Sequence, residues 1–329
     1  MNLNQEVKKN DTAQFIDLKN SKISKAARIL VFIIWMLGMA VILTSNAFQK
    51  NKWIEAVQGL TYEPVGFIPE PRTVPILMYH HFDCEVCNDF VVTPEKLKND
   101  LEEIAASGYT AIFFDDLYKH LIGEIKIPEK SVIISVDDGY YSSYKYLYPL
   151  LEELNMKASI AIIGWSAGRD EYLRSGKKIT PHFNLGQAKE MVDSGHVEIQ
   201  NHTYDLHTHQ ESSDGYQNEV NVGMLPLEGE TKQNYAARLQ NDLDQFNDVM
   251  ISNQIRVPEF MVYPYGKYNE LTEEILKEIF TGTVTTRKGI RRFKNLDDCR
   301  EIPRINIDQN TSVSKMLEQI SLLGDLISE

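Results

Sequence analysis

The chain has 329 residues, of which 43% are hydrophobic, and it carries a formal net charge of −13. A chain of this length and apolar content can bury a full core and is long enough for one large α/β domain. The acidic balance argues against a nucleic-acid-binding protein, because such proteins present a basic face to phosphate groups. We therefore expect a globular domain without a nucleic-acid partner.

The first distinctive segment is an uncharged apolar run at residues 29–48, ILVFIIWMLGMAVILTSNAF. Its length is that of a helix crossing a bilayer. A cleaved signal peptide is the alternative, but the 28 residues before the run and its length favour an uncleaved anchor. Basic residues are more numerous before the run than after it: Lys8, Lys9, Lys19, Lys22, Lys25 and Arg28 precede it, and Lys50 and Lys52 follow. Since cytoplasmic flanks carry the excess of Lys and Arg, we predict a cytoplasmic tail (1–28), a transmembrane anchor (29–48) and an extracellular remainder attached to the cell membrane.

Residues 49–71 have little periodicity and contain Pro64, Pro69 and Pro71, which indicates an extracellular stalk before a catalytic domain at 72–329. From there on, short apolar runs alternate with amphipathic helices, the order of parallel strands joined by right-handed crossovers. The predicted strands are 74–79, 110–114, 131–136, 158–163, 197–200, 260–263, 283–286 and 302–305. Seven or eight such units predict an α/β barrel.

Two helices stand out between these strands. The first is expected to begin after Thr93, with Pro94 in its first turn, and to end at Gly108. The second has a core-facing stripe at three- and four-residue spacing, formed by Leu239, Leu243, Phe246 and Met250.

Two adjacent carboxylates, Asp137 and Asp138, end one of the predicted strands in the sequence SVDDG. Adjacent acids most often lie in a solvated loop or at a helix start. Here β-branched residues precede them and Gly139 follows, which indicates a buried strand and then a sharp turn. The carboxyl end of such a strand is where open and barrel-shaped α/β proteins place their chemistry.

A histidine cluster follows another predicted strand in the sequence HTYDLHTH, which contains His202, His207 and His209. A lone histidine is more often a satisfied polar residue than a ligand, but two or three within eight positions are a stronger signal. Two imidazoles and one carboxylate form a three-ligand set for a divalent ion and leave a position open for water. The two motifs together therefore predict a metal site.

SVDDG, HTYDLH and the later VYPYG at 262–266, in this order at strand ends, resemble the three central motifs of the polysaccharide deacetylases, carbohydrate esterase family four. The resemblance covers roughly residues 72–310. It implies a distorted (β/α)7 barrel and metal-dependent removal of acetyl groups from N-acetylated sugars.

The resemblance also implies a role for each matching residue. Asp137 corresponds to the catalytic base, and Asp138, His202 and His207 to the ligands of one divalent metal ion. Zinc is the expected metal, with cobalt, nickel and iron as alternatives. Tyr265 would donate its backbone N–H to the oxyanion.

In most of the family, a histidine near the C-terminus is the general acid that protonates the leaving amine. This chain differs, because no histidine follows His209. A branch of the family that deacetylates poly-β-1,6-N-acetylglucosamine resembles this chain in an N-terminal M-Y-H-type motif and in a YPYG motif without the usual arginine. The strand-end candidates are His80 and His81 in PILMYHHF, and adjacent strand residues point to opposite faces. We expect His80 to be the acid, with His81 as the alternative, and Arg304 to be a candidate substitute for the arginine.

We therefore predict an N-deacetylase acting on N-acetylglucosamine residues of a surface polysaccharide, with poly-β-1,6-N-acetylglucosamine as the expected polymer. Two alternatives stay open: a peptidoglycan N-acetylglucosamine or N-acetylmuramic acid deacetylase, and an inactive glycan-binding barrel. A binding module would not need the intact metal set, which argues against the second alternative.

The cysteines and one polar segment allow weaker predictions. Cys84 and Cys87 form a C-x-x-C pair, for which a disulfide or free thiols are expected and not a zinc site, because no second pair exists; Cys299 lies far away in sequence. The polar segment 210–234 is long for a loop, and it either shapes the substrate groove or is a surface insertion.

Overall fold

The computed structural model describes residues 67–86, 88–172, 176–207, 209–210, 220–221 and 223–327. The predicted tail and anchor, most of the stalk, Cys87 and part of the segment 210–234 lie outside these described residues. Within them, no helix has both the length and the apolar character needed to cross a membrane. Residues Val65–Glu329 belong to one compact unit.

Seven parallel strands of the described chain form a closed barrel. We label them β1 to β7 in chain order: Ile76–Tyr79, Ser131–Val136, Ala158–Ile162, Val197–Asn201, Phe260–Val262, Gly282–Lys288 and Ile302–Asn306. Each strand pairs with the next in sequence, and β7 pairs with β1, with Ile305 opposite Leu77. The predicted barrel is confirmed as a ring of seven parallel strands.

The strands are apolar because helices cover the outside of the barrel while side chains fill its inside, so both faces are buried. All six residues of β2, SVIISV, are buried. The helices α1 to α7 span Pro94–Ala106, Phe114–Leu121, Tyr148–Leu154, Leu185–Asp193, Lys232–Ser252, Glu270–Leu276 and Val313–Ile327.

Both helices predicted in detail are present. Thr93 caps α1, because its hydroxyl oxygen accepts the N–H of Lys96 at 3.1 Å, and Pro94 is in the first turn. The stripe predicted for the later helix lies on the buried face of α5. The cap and the apolar stripe depend on residues close together in sequence, so both helices could be predicted from the sequence.

Three pairs of short strands form separate two-stranded sheets. Arg72–Val74 pairs antiparallel with Arg291–Phe293, His81–Phe82 pairs with Val91–Val92, and His209–Gln210 pairs with Val220–Asn221. The predicted strand 74–79 is thus divided at Pro75, which has no N–H to donate to a sheet.

The predicted strand 110–114 is wrong in its second half. Only Thr110–Ala111 is a strand, paired with β2, and α2 begins at Phe114. The helix starts there because acceptors satisfy its first N–H groups: the Asp116 carboxylate accepts from Phe113 at 3.0 Å, and the Glu198 carboxylate accepts from Phe114 at 2.8 Å.

The cysteines of the described chain carry no disulfide. Cys84 is exposed and Cys299 is buried, and each is a free thiol. The predicted pairing of Cys84 with Cys87 is not tested, because Cys87 lies outside the described residues.

Candidate active site

A cleft of about 760 Å³ opens at the carboxyl ends of the barrel strands. Its walls include all six residues predicted for the site: His80, Asp137, Asp138, His202, His207 and Tyr265. The elements that carry them are far apart in sequence, and the parallel barrel brings them together because it directs every strand end to the same side.

Three of these residues form a cluster suited to a metal ion. Asp138 Oδ1 lies 3.4 Å from His202 Nε2 and 3.3 Å from His207 Nε2. Ligands about 2.0 to 2.1 Å from a tetrahedral zinc ion are separated by about 3.4 Å, so the spacing fits a common ion. Asp138 Oδ1 is buried and has no hydrogen-bond partner among the described residues, as expected of an atom that binds a cation. The residues present therefore fit a divalent metal.

The charge state of Asp138 also suits a ligand. Burial by itself would raise the pKa of this carboxyl group, but His202 and His207 outweigh burial and hold the pKa of Asp138 well below its usual range. The side chain is therefore ionised and can bind a cation.

Local backbone structure aims the ligands. Asp138, the second residue after β2, has φ 73°, and Gly139 follows with φ 80°. A Cβ on Gly139 would lie 3.0 Å from the Ile162 side chain, so a glycine fits this tight turn. At the end of β4, His202 Nδ1 donates its hydrogen to the carbonyl of Val262 at 2.7 Å. This bond leaves the lone pair of Nε2 directed toward Asp138.

The neighbouring acid, Asp137, has a different environment. Its two oxygens accept from Arg304 Nη1 and Nη2, each at 2.7 Å, in a bidentate pair. Burial would raise the pKa of Asp137, but the Arg304 guanidinium outweighs it and keeps the pKa below the ordinary value. Adjacent carboxylates thus have separate partners, one in the metal cluster and one on an arginine.

Arg304 is held in place from β2 and β6. Nη1 also donates to Ser135 Oγ at 2.9 Å, and Nε donates to the carbonyl of Thr285 at 2.9 Å. The side chain is completely buried. The structure therefore places the predicted substitute arginine on Asp137, and it adds two supporting residues, Ser135 and Thr285, that the sequence did not single out.

The two candidate acids face different partners. His80 Nε2 lies 3.7 Å from Asp137 Oδ2, and the His80 ring packs edge-on against Phe90. His81 instead lies with Nδ1 2.8 Å from the hydroxyl of Ser142. Both histidines line the cleft, but His80 is the one whose Nε2 lies beside Asp137.

Tyr265 lies in the short turn Pro264–Gly266 after β5, with φ 56°. Its ring centroid is 4.2 Å from that of His207, so the turn borders the metal cluster. Tyr140, directly after the SVDDG motif, also lines the cleft, and burial together with Asp138 raises its pKa. Sequence reasoning missed Tyr140, although its place beside the motif was a signal.

Known proteins share this sequence pattern and this barrel. Residues 124–280 match the family model described as "Polysaccharide deacetylase". The chain is 24% identical over 263 residues to the poly-β-1,6-N-acetyl-D-glucosamine N-deacetylase of Escherichia coli (strain K12), covering 74% of this chain and 38% of that protein. It is 25% identical over 153 residues to the protein of the same name from Staphylococcus aureus (strain MSSA476), covering 46% of each. The chain thus spans less than half the length of these relatives.

The barrel is similar to that of a de-N-acetylase from Aggregatibacter actinomycetemcomitans, with a TM-score of 0.64 and 23% identity, covering 74% of this chain and 99% of that one. The chain thus shares the fold of this de-N-acetylase, and the three-ligand cluster lies within the residues that match the family model. The residues matched by the polysaccharide deacetylase family model, 124–280, contain all three of the motifs SVDDG, HTYDLH and VYPYG.

Proposed function

We propose that the protein is a metal-dependent N-deacetylase that removes acetyl groups from the N-acetylglucosamine residues of poly-β-1,6-N-acetylglucosamine. One observation carries the proposal: the cluster of Asp138, His202 and His207 lies beside Asp137, which has its own guanidinium and a histidine at 3.7 Å. The choice of polymer is supported by the names of the relatives from Escherichia coli and Staphylococcus aureus.

Each residue has a task in this reaction. A divalent ion held by the three ligands, zinc being proposed, would polarise the acetyl carbonyl and acidify water. Asp137, kept ionised by Arg304, accepts a proton from the attacking water. His80 donates a proton to the sugar nitrogen as its bond to the acetyl carbon breaks, which leaves acetate and a free amine. The backbone N–H of Tyr265 is assigned to the oxyanion.

A comparison of substrates tests the polymer. The purified full-length protein with zinc should release acetate from β-1,6-linked N-acetylglucosamine oligomers, measured together with the free amines formed. Turnover of peptidoglycan fragments but not of the β-1,6-linked oligomers would instead make the protein a peptidoglycan deacetylase. Full metal occupancy without turnover of either substrate would favour a glycan-binding barrel.

A variant tests the metal. His207→Ala should lose bound metal and acetate release together, because it removes one of three ligands. His196→Ala is the matched control: this histidine precedes β4 at the opposite end of the strand, where Nδ1 bonds the carbonyl of Met156 at 2.8 Å. Full metal occupancy in His207→Ala would remove this residue from the ligand set.

The proposal includes the location of the enzyme. The uncharged run 29–48 and the basic residues before it support an anchor with a cytoplasmic tail and an extracellular catalytic domain. A tag before Met1 should then resist protease added to intact cells, whereas a tag after Glu329 should be cut. The reverse pattern would overturn both the orientation and the extracellular substrate.

A further inference from the structure

The backbone N–H groups between the two metal-binding histidines are held by side chains. Residues 203–206 belong to neither a helix nor a strand, so no regular ladder satisfies their N–H groups. Four consecutive N–H groups instead donate to side-chain oxygens: Thr203 to Asn201 Oδ1 (2.7 Å), Tyr204 to Asp242 Oδ1 (2.8 Å), Asp205 to Asp242 Oδ2 (2.7 Å) and Leu206 to Thr203 Oγ1 (3.2 Å).

Asp242 differs from the other two acceptors because it comes from a distant element. Asn201 and Thr203 lie in β4 and in the turn itself, whereas Asp242 is on α5. Its side chain is buried, with 4% exposure, among the apolar residues of that helix. A buried carboxylate is uncommon unless it is paired, and both oxygens of this one accept hydrogen bonds from the turn.

The turn is also held from its other side. The N–H groups of Gly164 and Trp165 donate to the carbonyls of Thr203 and Tyr204, each at 3.0 Å. The contact is close, since a Cβ on Gly164 would lie 2.7 Å from the Tyr204 ring. Tyr204 is thus held between the segment after β3 and helix α5.

The two histidines depend on this turn to different degrees. His202 directly follows β4, and both its N–H and its Nδ1 bond strand carbonyls, those of Ile162 and Val262. His207 lies at the far end of the turn, and its side chain is 17% exposed compared with 2% for His202. A change in the turn should therefore displace His207 more than His202.

We propose that Asp242 is a positioning residue of the metal site, which fixes the turn that aims His207 Nε2 at Asp138 Oδ1. The proposal rests on the metal-binding function proposed above. Asp242 acts through the backbone of Tyr204 and Asp205, whose N–H groups donate to its two carboxylate oxygens. Loss of such supporting contacts in metal sites typically weakens metal binding by about 10- to 100-fold.

The test compares two buried aspartates on helices. Asp242→Asn keeps the shape of the side chain but turns an NH₂ group toward one of the two N–H donors, so one bond is lost. Asp100→Asn is the matched control: Asp100 is buried on α1, and it accepts from Tyr79 Oη at 3.1 Å and pairs with Lys96, away from the turn. The Kd for zinc is measured by competition with a chromogenic chelator, and thermal unfolding is measured on the metal-free proteins.

We expect a zinc Kd about 10- to 100-fold weaker in Asp242→Asn and unchanged in Asp100→Asn. Excess zinc should restore much of the activity of Asp242→Asn, since the ligands themselves are intact. An unchanged Kd in Asp242→Asn, or an equal loss in both variants, would overturn the positioning role. A wild-type protein that binds no zinc would overturn the proposed function itself. Should Asp242→Asn fail to fold, Asp242→Ser against Asp100→Ser gives the same comparison.

Discussion

The buried pair of Arg304 and Asp137 should be the most costly single interaction of the site to break. Arg304→Met removes a fully buried guanidinium that makes four hydrogen bonds, two of them to Asp137. The carboxylate would then be buried without its positive partner. Removing one member of such a pair costs about 3 to 5 kcal/mol of unfolding free energy. This is a large part of the about 5 to 15 kcal/mol that stabilises a typical domain.

A double-mutant cycle measures the pair itself. Asp137→Asn alone leaves the guanidinium unpaired, so it should also destabilise the protein, whereas the double variant carries neither charge. We expect the double variant to lose about 2 to 3 kcal/mol less unfolding free energy than the two single variants lose together. Urea unfolding is measured with a chelator present, because a metal that binds only the folded state would add to its stability.

An exposed ion pair gives the control for this cycle. Lys178 and Asp170 lie 2.9 Å apart with side chains 69% and 59% exposed, and their coupling should be much weaker than that of the buried pair. If the Arg304 and Asp137 effects add to within about 0.5 kcal/mol, the two residues are not an energetic unit, and the reasoning is refuted.

Four single substitutions test individual roles. Asp137→Asn should retain bound metal and lose about 10²- to 10⁴-fold in rate, and a parallel loss of metal would make Asp137 a ligand. His80→Ala should lower turnover severely with metal retained, while His81→Ala changes little; near-full activity in both would place the acid elsewhere. Asp100→Asn should remove a pH dependence of stability, because burial raises the pKa of Asp100 from 3.8 to about 6. The folded state then binds this proton more tightly than the unfolded chain, so the contribution to the unfolding free energy is greatest below about pH 4 and declines by up to about 3 kcal/mol as the pH rises to about 6. Parallel urea-unfolding profiles of wild type and variant from pH 4 to 7 would contradict this.

The positions of the metal cluster could be predicted because they depend on local signals. Asp138 and His202 each follow a short apolar strand, and parallel strands place such ends on one side of a barrel. The pairing of Arg304 with Asp137 joins β7 to β2, and no local pattern specifies a contact over that separation. Arg304 and Asp137 come into contact only because the barrel closes between β7 and β1.

The misplaced strand at 110–114 has a physical explanation. Ala111 to Phe114 is a short apolar run, and such a run can be a buried strand or the start of a buried helix. The acids after it, Asp115 and Asp116, were the missed signal, since carboxylates favour a helix N-terminus. Asp242 was a second missed signal. It is an acid next to Leu243 on the core-facing side of α5, where a carboxylate needs a hydrogen-bond partner.

The pairing of β7 with β1 has a consequence for how the enzyme acquires activity. His80 directly follows β1 and Arg304 belongs to β7, so the cleft needs residues from both ends of the catalytic domain. A chain synthesised from its N-terminus contains Asp137 well before it contains the guanidinium that pairs with it. Contacts between positions as distant as Leu77 and Ile305 are also costly in loop-closure entropy, so they form late in folding. The proposed deacetylation is therefore expected to begin only after Ile302–Asn306 has completed the ring, and chains that lack this strand should be inactive.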